Sequence, residues 1–367
     1  MTKKKNNKKT FPDRAIEQKE SMPVVNRATT KVSALLTRKY DVNSIQEYAN
    51  IKTQKPILYV RNLSKKYFGK KQAAVNNISF DVYPGEFHAF IGANGAGKTT
   101  TIKCLIGAYA NWSGTVLVGG QKNNKESAKR KLGYIPENAR FPDRFSALKY
   151  LEWMTMLSGL SRKQAKEFSI NKLKSLKMWS LRKKSPNSFS SGQKKKILLA
   201  QALIHNPDII IMDEPVANLD PKARMEFFDL LASLRKKGKA IFVSSHVLAE
   251  LDRYADSATI LDGGNIVYSG DKKTLMGMFP THNYRIKTSN DKMLETYLRK
   301  QGIKFMTKEE EEEGITAIFN DEEVVKKFQR FLSKVGLVLH TFIKKEPSLD
   351  QVYAKLVIKG SVDTQKG

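Results

Sequence analysis

The rhythm of apolar and polar positions changes several times along the chain. From Pro56 onward, "ILYVRNLSKKYF", "NNISFDVY" and "FHAFIG" are short apolar runs that predict β-strands. From about residue 100, apolar strand candidates alternate with helical segments, the rhythm of an α/β domain. Residues 140–184 read mainly as helix, because "ALKYLEWMTMLSGL" and "AKEFSINKLKSLKMW" repeat their apolar positions at helical spacing. Strand and helix alternate again at "PDIIIMDEP" and "KAIFVSSH". After Gly270, "NYRIKTS", "GIKFM", "GITAIFN" and "LVLHTFI" predict short strands, with helix candidates at 291–300 and 321–335. Residues 282–360 therefore read as a small α+β domain. The acidic run Glu309–Glu313 predicts a solvated loop or helix end. Near the N-terminus, Lys31–Ala49 predicts one or two short helices, and the polar, basic first ten residues predict disorder. No internal repeat is present.

Composition narrows the classes. The 367 residues allow one large domain plus a smaller one, or two of ordinary size. The net charge is +29 and the pI is near 9.9. Residues 1–55, a basic N-terminal extension, hold 13 Lys/Arg against 5 Asp/Glu. Such an excess suits a polyanionic neighbour, whether nucleic acid, ribosome or anionic membrane, and equally a Lys-rich surface set by genome composition. Cys104 is the single cysteine, which excludes a disulfide framework or thiolate metal cluster and suits a reducing cytoplasm. No apolar run approaches the roughly 18 residues of a membrane span, and no hydrophobic segment follows the basic start as a secretory signal requires.

The chemistry begins at "GANGAGKTT". It fits G-x-x-x-x-G-K-[ST], with a strand candidate before it and a helix candidate after it. Gly92, Ala93, Asn94, Gly95, Ala96, Gly97, Lys98, Thr99 and Thr100 are the expected nucleotide-binding residues. Glycines let the backbone wrap phosphate oxygens with its N–H groups, Lys98 reaches the β- and γ-phosphates, and the Thr99 hydroxyl suits Mg²⁺. In "DIIIMDEP" a buried strand ends in two carboxylates. Asp213 can hold Mg²⁺ through water, and Glu214 can take a proton from an attacking water. "KAIFVSSH" ends a further strand at His246, a candidate γ-phosphate sensor if its strand lies in the same sheet. "NSFSSGQKKK" stands directly before the apolar run "ILLAQALI" and predicts a helix N-terminus, a place that attracts anions.

Together these segments resemble the ATP-binding subunits of ABC transporters. "FSSGQ" narrows the resemblance, since the family's signature reads Leu-Ser-Gly-Gly-Gln. Ser190, Gly192 and Gln193 match it, whereas Phe189 and Ser191 depart from it. The resemblance, over about 56–281, implies a P-loop ATPase with an antiparallel β subdomain and a helical subdomain at about 138–188. It implies that Ser190, Ser191, Gly192 and Gln193 meet the γ-phosphate of an ATP bound by a second subunit. The partner is then another copy or a paralogue, joined through an ATP sandwich. Tyr67, 25 positions before Gly92, resembles the aromatic that stacks on adenine, with Phe68 as competitor. Glu137 in "GYIPE" stands where many members carry Gln, at the Mg²⁺ and attacking-water position. Asp220 in "ANLDP" matches a residue facing the partner. Phe141, Phe145 and Tyr150 either line a groove for the membrane subunit or form the subdomain's own core. "PSLDQVYAKLV" resembles the end of the extension found in drug, lipid and peptide exporter ATPases.

Two classes of function compete. One is an exporter ATPase on the cytoplasmic face of the cell membrane, energising a separate transmembrane permease and touching anionic lipid through its basic N-terminus. The other is a soluble ABC-type ATPase, tethered to nucleic acid or ribosome or serving cofactor assembly. Translation-type members carry two nucleotide domains, and repair types carry zinc cysteines or long coiled coils. A single phosphate loop and a single cysteine favour the transporter.

Overall fold

The computed structural model describes residues 55–279, 281–309 and 312–363. The expectations of disorder and helix before residue 50 lie outside these residues. Strands β1 (Leu58–Lys65), β2 (Val75–Val82), β4 (Ser113–Val118) and β5 (Gln121–Lys122) form an antiparallel sheet in the order β2-β1-β4-β5. A second sheet is built from β3 (Phe87–Ile91), β6 (Leu132–Ile135), β7 (Ile209–Met212), β8 (Ala240–Ser245), β9 (Ser257–Asp262) and β10 (Asn265–Asp271). Its order is β10-β9-β3-β8-β7-β6, parallel except at β10. Its helical connections are α1 (Lys98–Leu105), α2 (Glu126–Lys129), α3 (Ala147–Leu157), α4 (Arg162–Ser175), α5 (Ser191–Ala202), α6 (Pro221–Lys236) and α7 (Leu248–Tyr254), with α8 (Lys272–Gly277) after β10.

The central strands are apolar on both sides, as a covered parallel sheet requires. Alternate residues supply two cores. Ile210, Met212, Ile241 and Val243 face the helices, while Ile209, Ile211, Ala240 and Phe242 face the antiparallel sheet. Cys104 lies in the second core, where burial pushes its thiol pKa up to about 11. In the helical region Phe141 and Tyr150 are core residues, and the Tyr150 hydroxyl donates to Gln201 at 2.6 Å. Phe145 instead meets the half-exposed Trp153 edge to face, and Leu157 beyond it is 74% exposed.

A third sheet follows, made of β11 (Asn283–Thr288), β12 (Lys304–Glu309), β13 (Glu312–Ile318) and β14 (Leu339–Lys345) in the order β12-β13-β11-β14. With α9 (Asp291–Lys300) and α10 (Glu322–Val335) it forms a β-α-β-β-α-β unit around its own core of Ile286, Leu298, Phe328 and neighbours. In the acidic run, Glu309 closes β12 and pairs with Glu312 at the start of β13, so these residues are not a helix end, and Glu310 and Glu311 lie outside the described residues. The last helix, α11 (Leu349–Asp363), leaves this unit and packs on α7. Leu349 and Val352, three residues apart and wholly buried, join the core beneath the main sheet.

That packing gives a measurable expectation. Leu349→Ala removes a buried side chain from the main core, so the chain should lose about 2–5 kcal/mol of stability in denaturant unfolding. The unfolding transition of residues 55–279 should move. A shift confined to the third sheet would contradict the packing.

Candidate functional site

Strands β3, β6, β7 and β8 run parallel, so their C-terminal ends lie along one edge of the sheet, the edge where ligands bind in open α/β folds. Each end carries one expected group: the glycine loop after β3, Glu137 after β6, Asp213 and Glu214 after β7, and His246 after β8.

The loop is held from outside. A Cβ on Gly92 would meet the Leu261 carbonyl at 2.6 Å, and one on Gly97 would meet the Ala74 carbonyl at 2.4 Å. Gly97 also has φ +104°, which only glycine adopts without strain. Ala93, Asn94 and Gly95 are exposed at the rim, while Ala96 is buried and accepts from the Gly264 N–H. Gly97 is the N-cap of α1, and no side chain caps that helix. The first-turn N–H groups of Lys98, Thr99 and Thr100 are thus left for an anion. Lys98 is buried and donates to the carbonyls of Gly92 (2.8 Å) and Ala93 (3.2 Å).

Asp213 and Glu214 are both buried, and each has partners. Asp213 Oδ1 accepts from the hydroxyls of Thr99 (3.2 Å) and Ser244 (2.9 Å). Glu214 Oε1 lies 3.2 Å from Lys98 Nζ, an ion-pair distance without hydrogen-bond alignment. Glu214 Oε2 lies 2.9 Å from His246 Nδ1. The Glu214 N–H donates to Ser244 Oγ, and the backbone there has φ +43°, a left-handed conformation that costs a non-glycine about 1–3 kcal/mol. Strain of this kind is kept where a side chain must point in one direction.

Tyr67 reaches this edge, its hydroxyl 3.0 Å from Thr100 Oγ1, whereas Phe68 projects fully into solvent. Tyr109 packs edge to face on Tyr67 at 6.0 Å, with the Lys65 ammonium over both rings. Sequence reasoning missed Tyr109, which no motif marks. It also missed Ser244, although "VSSH" offers the hydroxyl two residues before His246.

Ser190 is the N-cap of α5 and forms a capping box with Gln193. Both Gly192 and Gln193 have structural reasons at this helix start. Gln193 closes the box, and a Cβ on Gly192 would lie 3.2 Å from Ala223 Cβ on α6. Ser190 and Ser191 remain exposed. Asp220 caps α6, accepting from the Ala223 N–H at 2.9 Å. One turn into α5, Lys195 is buried and donates to the carbonyls of Pro136 (2.9 Å) and Glu137 (2.6 Å). Burial pulls its pKa down to about 8, opposed by the carboxylates of Glu137, Asp213 and Glu214. The Glu137 side chain itself is exposed.

For a divalent cation, the described residues contain no group of three His, Cys, Asp or Glu side chains that converge. Thr99 and Asp213 instead offer two hard oxygens at contact distance. That fits Mg²⁺, which takes one or two protein oxygens and completes its shell with phosphate and water.

Known proteins are similar to this chain over most of the residues that form this edge. The sequence model of the family described as ABC transporter matches residues 75–217. An ABC transporter ATP-binding protein of Mycoplasma pneumoniae is 44% identical over 252 residues, 68% of this chain and 77% of that protein. The Nod factor export ATP-binding protein I of Cupriavidus metallidurans is 32% identical, over 60% of this chain and 73% of that one. A solved structure described as the ATP binding subunit of an ABC transporter superposes with a TM-score of 0.55 at 31% identity, over 61% of this chain and 93% of the other. With the glycine loop, the acid pair and the capped Ser190–Gln193 helix on one scaffold, the chain belongs to the ABC transporter family as an ATP-binding subunit that hydrolyses ATP.

Proposed function

We propose that the chain works as one of a pair and powers export through a separate membrane subunit. The observation that carries this reading is the Lys98–Glu214–His246 cluster, which makes no hydrogen bond to the helix start whose Ser190 and Ser191 are exposed. Among the described residues, the Ser190–Gln193 bonds close within their own capping box, and none reaches the phosphate loop. A second copy or a paralogue, paired head to tail, would bring its own helix start to that nucleotide, with Asp220 at the shared face.

In this reading the phosphates of ATP lie on the Gly92–Thr100 loop, and the adenine stacks on Tyr67. Thr99, Asp213 and Glu137 would hold Mg²⁺, which supplies neutralisation of phosphate charge when bound. An arriving γ-phosphate competes with Glu214 for Lys98. Oε1 is then free to accept a proton from the attacking water. His246, bonded through Nδ1, holds Glu214 by Oε2 and keeps its second ring nitrogen for the phosphate.

Export is supported by the relative whose name states it, and by the Pro347–Val357 segment that resembles exporter extensions. No helix among the described residues is long and apolar enough to cross a membrane. Phe145, Trp153 and Leu157 on the helical region would receive the permease at the cytoplasmic face of the membrane. The basic residues 1–55 would add attraction to anionic lipid.

Glu214→Gln tests the reading most directly. It keeps the shape but cannot take the proton, so turnover should fall about 10²–10⁴-fold. ATP should still bind, and light scattering should show an ATP-dependent dimer, which Ser190→Arg then dissolves. Normal turnover in Glu214→Gln would reject the mechanism. An ATP-loaded protein that stays monomeric would reject self-pairing and leave a heterodimer.

Lys98→Ala should abolish hydrolysis and weaken nucleotide binding without altering the fold by circular dichroism. Removing residues 1–50 should leave nucleotide affinity and turnover unchanged, while binding to phosphatidylserine vesicles weakens by up to about 1 kcal/mol per Lys/Arg removed. Loss of nucleotide binding on that deletion would place the extension inside the catalytic unit.

A further inference from the structure

Lys195 is a buried cation that the hydrolysis scheme does not use. Its side chain is 6% exposed, and its ammonium donates to two main-chain carbonyls, Pro136 at 2.9 Å and Glu137 at 2.6 Å. Both carbonyls sit just beyond the end of β6, whose Ile135 carbonyl accepts from the Asp213 N–H at 3.0 Å. The ammonium therefore grips the backbone that carries Glu137, next to the strand that carries the acid pair. It also lies close enough to Glu137, Asp213 and Glu214 for their charges to act on it.

The other end of this side chain is equally fixed. Lys195 lies four residues after Ser191, about one helical turn along the same face of α5. The capping box makes that first turn rigid, so whatever moves Ser190–Gln193 moves Lys195 with it. A second tie runs in parallel. Just before the helix, Asn187 donates to the Phe141 carbonyl (2.9 Å) and to Asp143 (2.7 Å) and accepts from the Phe141 N–H (3.2 Å). The segment from Pro136 to Asp143 is thus strapped at both ends to the chain around Ser190.

A buried ammonium is a costly way to fill this space, since apolar packing of similar volume is usually neutral or better for stability. What the ammonium adds is direction. Charge-assisted bonds to two consecutive carbonyls fix the path of the backbone at Glu137, and without them both carbonyls would be left unpaired.

We propose that Lys195 is a positioning residue that couples the two nucleotide sites of the pair. It transmits movement of the Ser190–Gln193 helix start, which faces the partner's ATP, to Glu137, which faces the chain's own. The inference rests on the paired reading above and adds a route between its two sites. By linkage the coupling is reciprocal: occupancy of either site favours the closed geometry of the other.

The test is the ATP dependence of turnover in the full chain, wild type against Lys195→Met and Lys195→Gln, with folding checked by thermal melting. Binding of a fluorescent ATP analogue at concentrations where the chain is monomeric is measured alongside. Lys195→Met should lower kcat about 10- to 100-fold, the scale of a displacement of about 1 Å at a catalytic group. Its Hill coefficient should fall from about 2 toward about 1, the limits for two coupled and two independent sites. Analogue affinity of the monomer should hold, because no bond of Lys195 reaches the phosphate loop. Lys195→Gln, able to hold one carbonyl without a charge, should keep more of the cooperativity, and it carries the test if the Met variant does not fold. A variant whose Hill coefficient stays at the wild-type value would overturn the coupling, even with a lower kcat, since Lys195 would then act on one site alone. A wild type with a Hill coefficient near 1 whose Glu214→Gln form also stays monomeric with ATP would overturn self-pairing, and with it the coupling between two copies of this chain.

Discussion

Two adjacent carboxylates, buried at the tip of one apolar strand, constrain everything around them. Asp213 and Glu214 are 2% and 8% exposed, and an unpaired charge at such a depth costs several kcal/mol. Each must be met by donors, and β7 supplies none of its own. The Thr99 hydroxyl and the Lys98 ammonium come from the loop after β3, and the Ser244 hydroxyl and the His246 ring come from the end of β8. These residues are remote in sequence. Only a sheet in which β3, β8 and β7 run parallel and adjacent can deliver all four groups to one edge. The apolar residues of those strands therefore do more than fill two cores, because their burial on both faces holds together the sheet that places the donors.

Much of this could be read from the residues alone. A glycine loop between a strand and a helix, an apolar strand ending in Asp-Glu, and a strand ending in His each carry their chemistry in a local pattern. What stayed hidden depends on partners far away in the chain. Lys194, Lys195 and Lys196 look like a solvated charge run. Lys195 turns inward because helix phase places it on the face of Leu198 and Leu199, both buried, three and four residues later. Lys196, one position on, pairs at the surface with Glu226 at 2.9 Å. Helix phase could have separated the two, but composition could not. Tyr109 has no such signal, since its place beside Tyr67 follows from how the turn after α1 returns to the antiparallel sheet.

The segment Ser190–Gln193 shows how one sequence can satisfy folding and chemistry together. Gln193 closes a capping box and Gly192 permits close contact with α6, so stability by itself already favours this wording. The serines that complete it stay at the surface, where capping explains Ser190 and leaves Ser191 unaccounted for. A helix start that is capped and without acidic residues in its first turn suits an anion carried by another molecule, as the paired reading proposes. Rigidity also makes it useful as a lever, because a frayed turn would absorb a push instead of passing it on.

The C-terminal unit is held to the same scaffold. Its sheet has a separate core, yet its last helix returns to the main one through Leu349 and Val352, and the Leu349 N–H points to Asp252 on α7 at 3.4 Å. Helix α7 follows His246 directly, and Tyr353 on the returning helix has its hydroxyl buried beside the backbone of Ala93 in the phosphate loop. A tail that only lengthened the chain would have no reason to bury apolar side chains there. Because α11 contacts both the helix after His246 and the rim of the loop, any rearrangement of those two segments must also repack α11. The third sheet is thereby tied to the nucleotide edge through α11, which packs on α7 and carries Tyr353 to the backbone of Ala93.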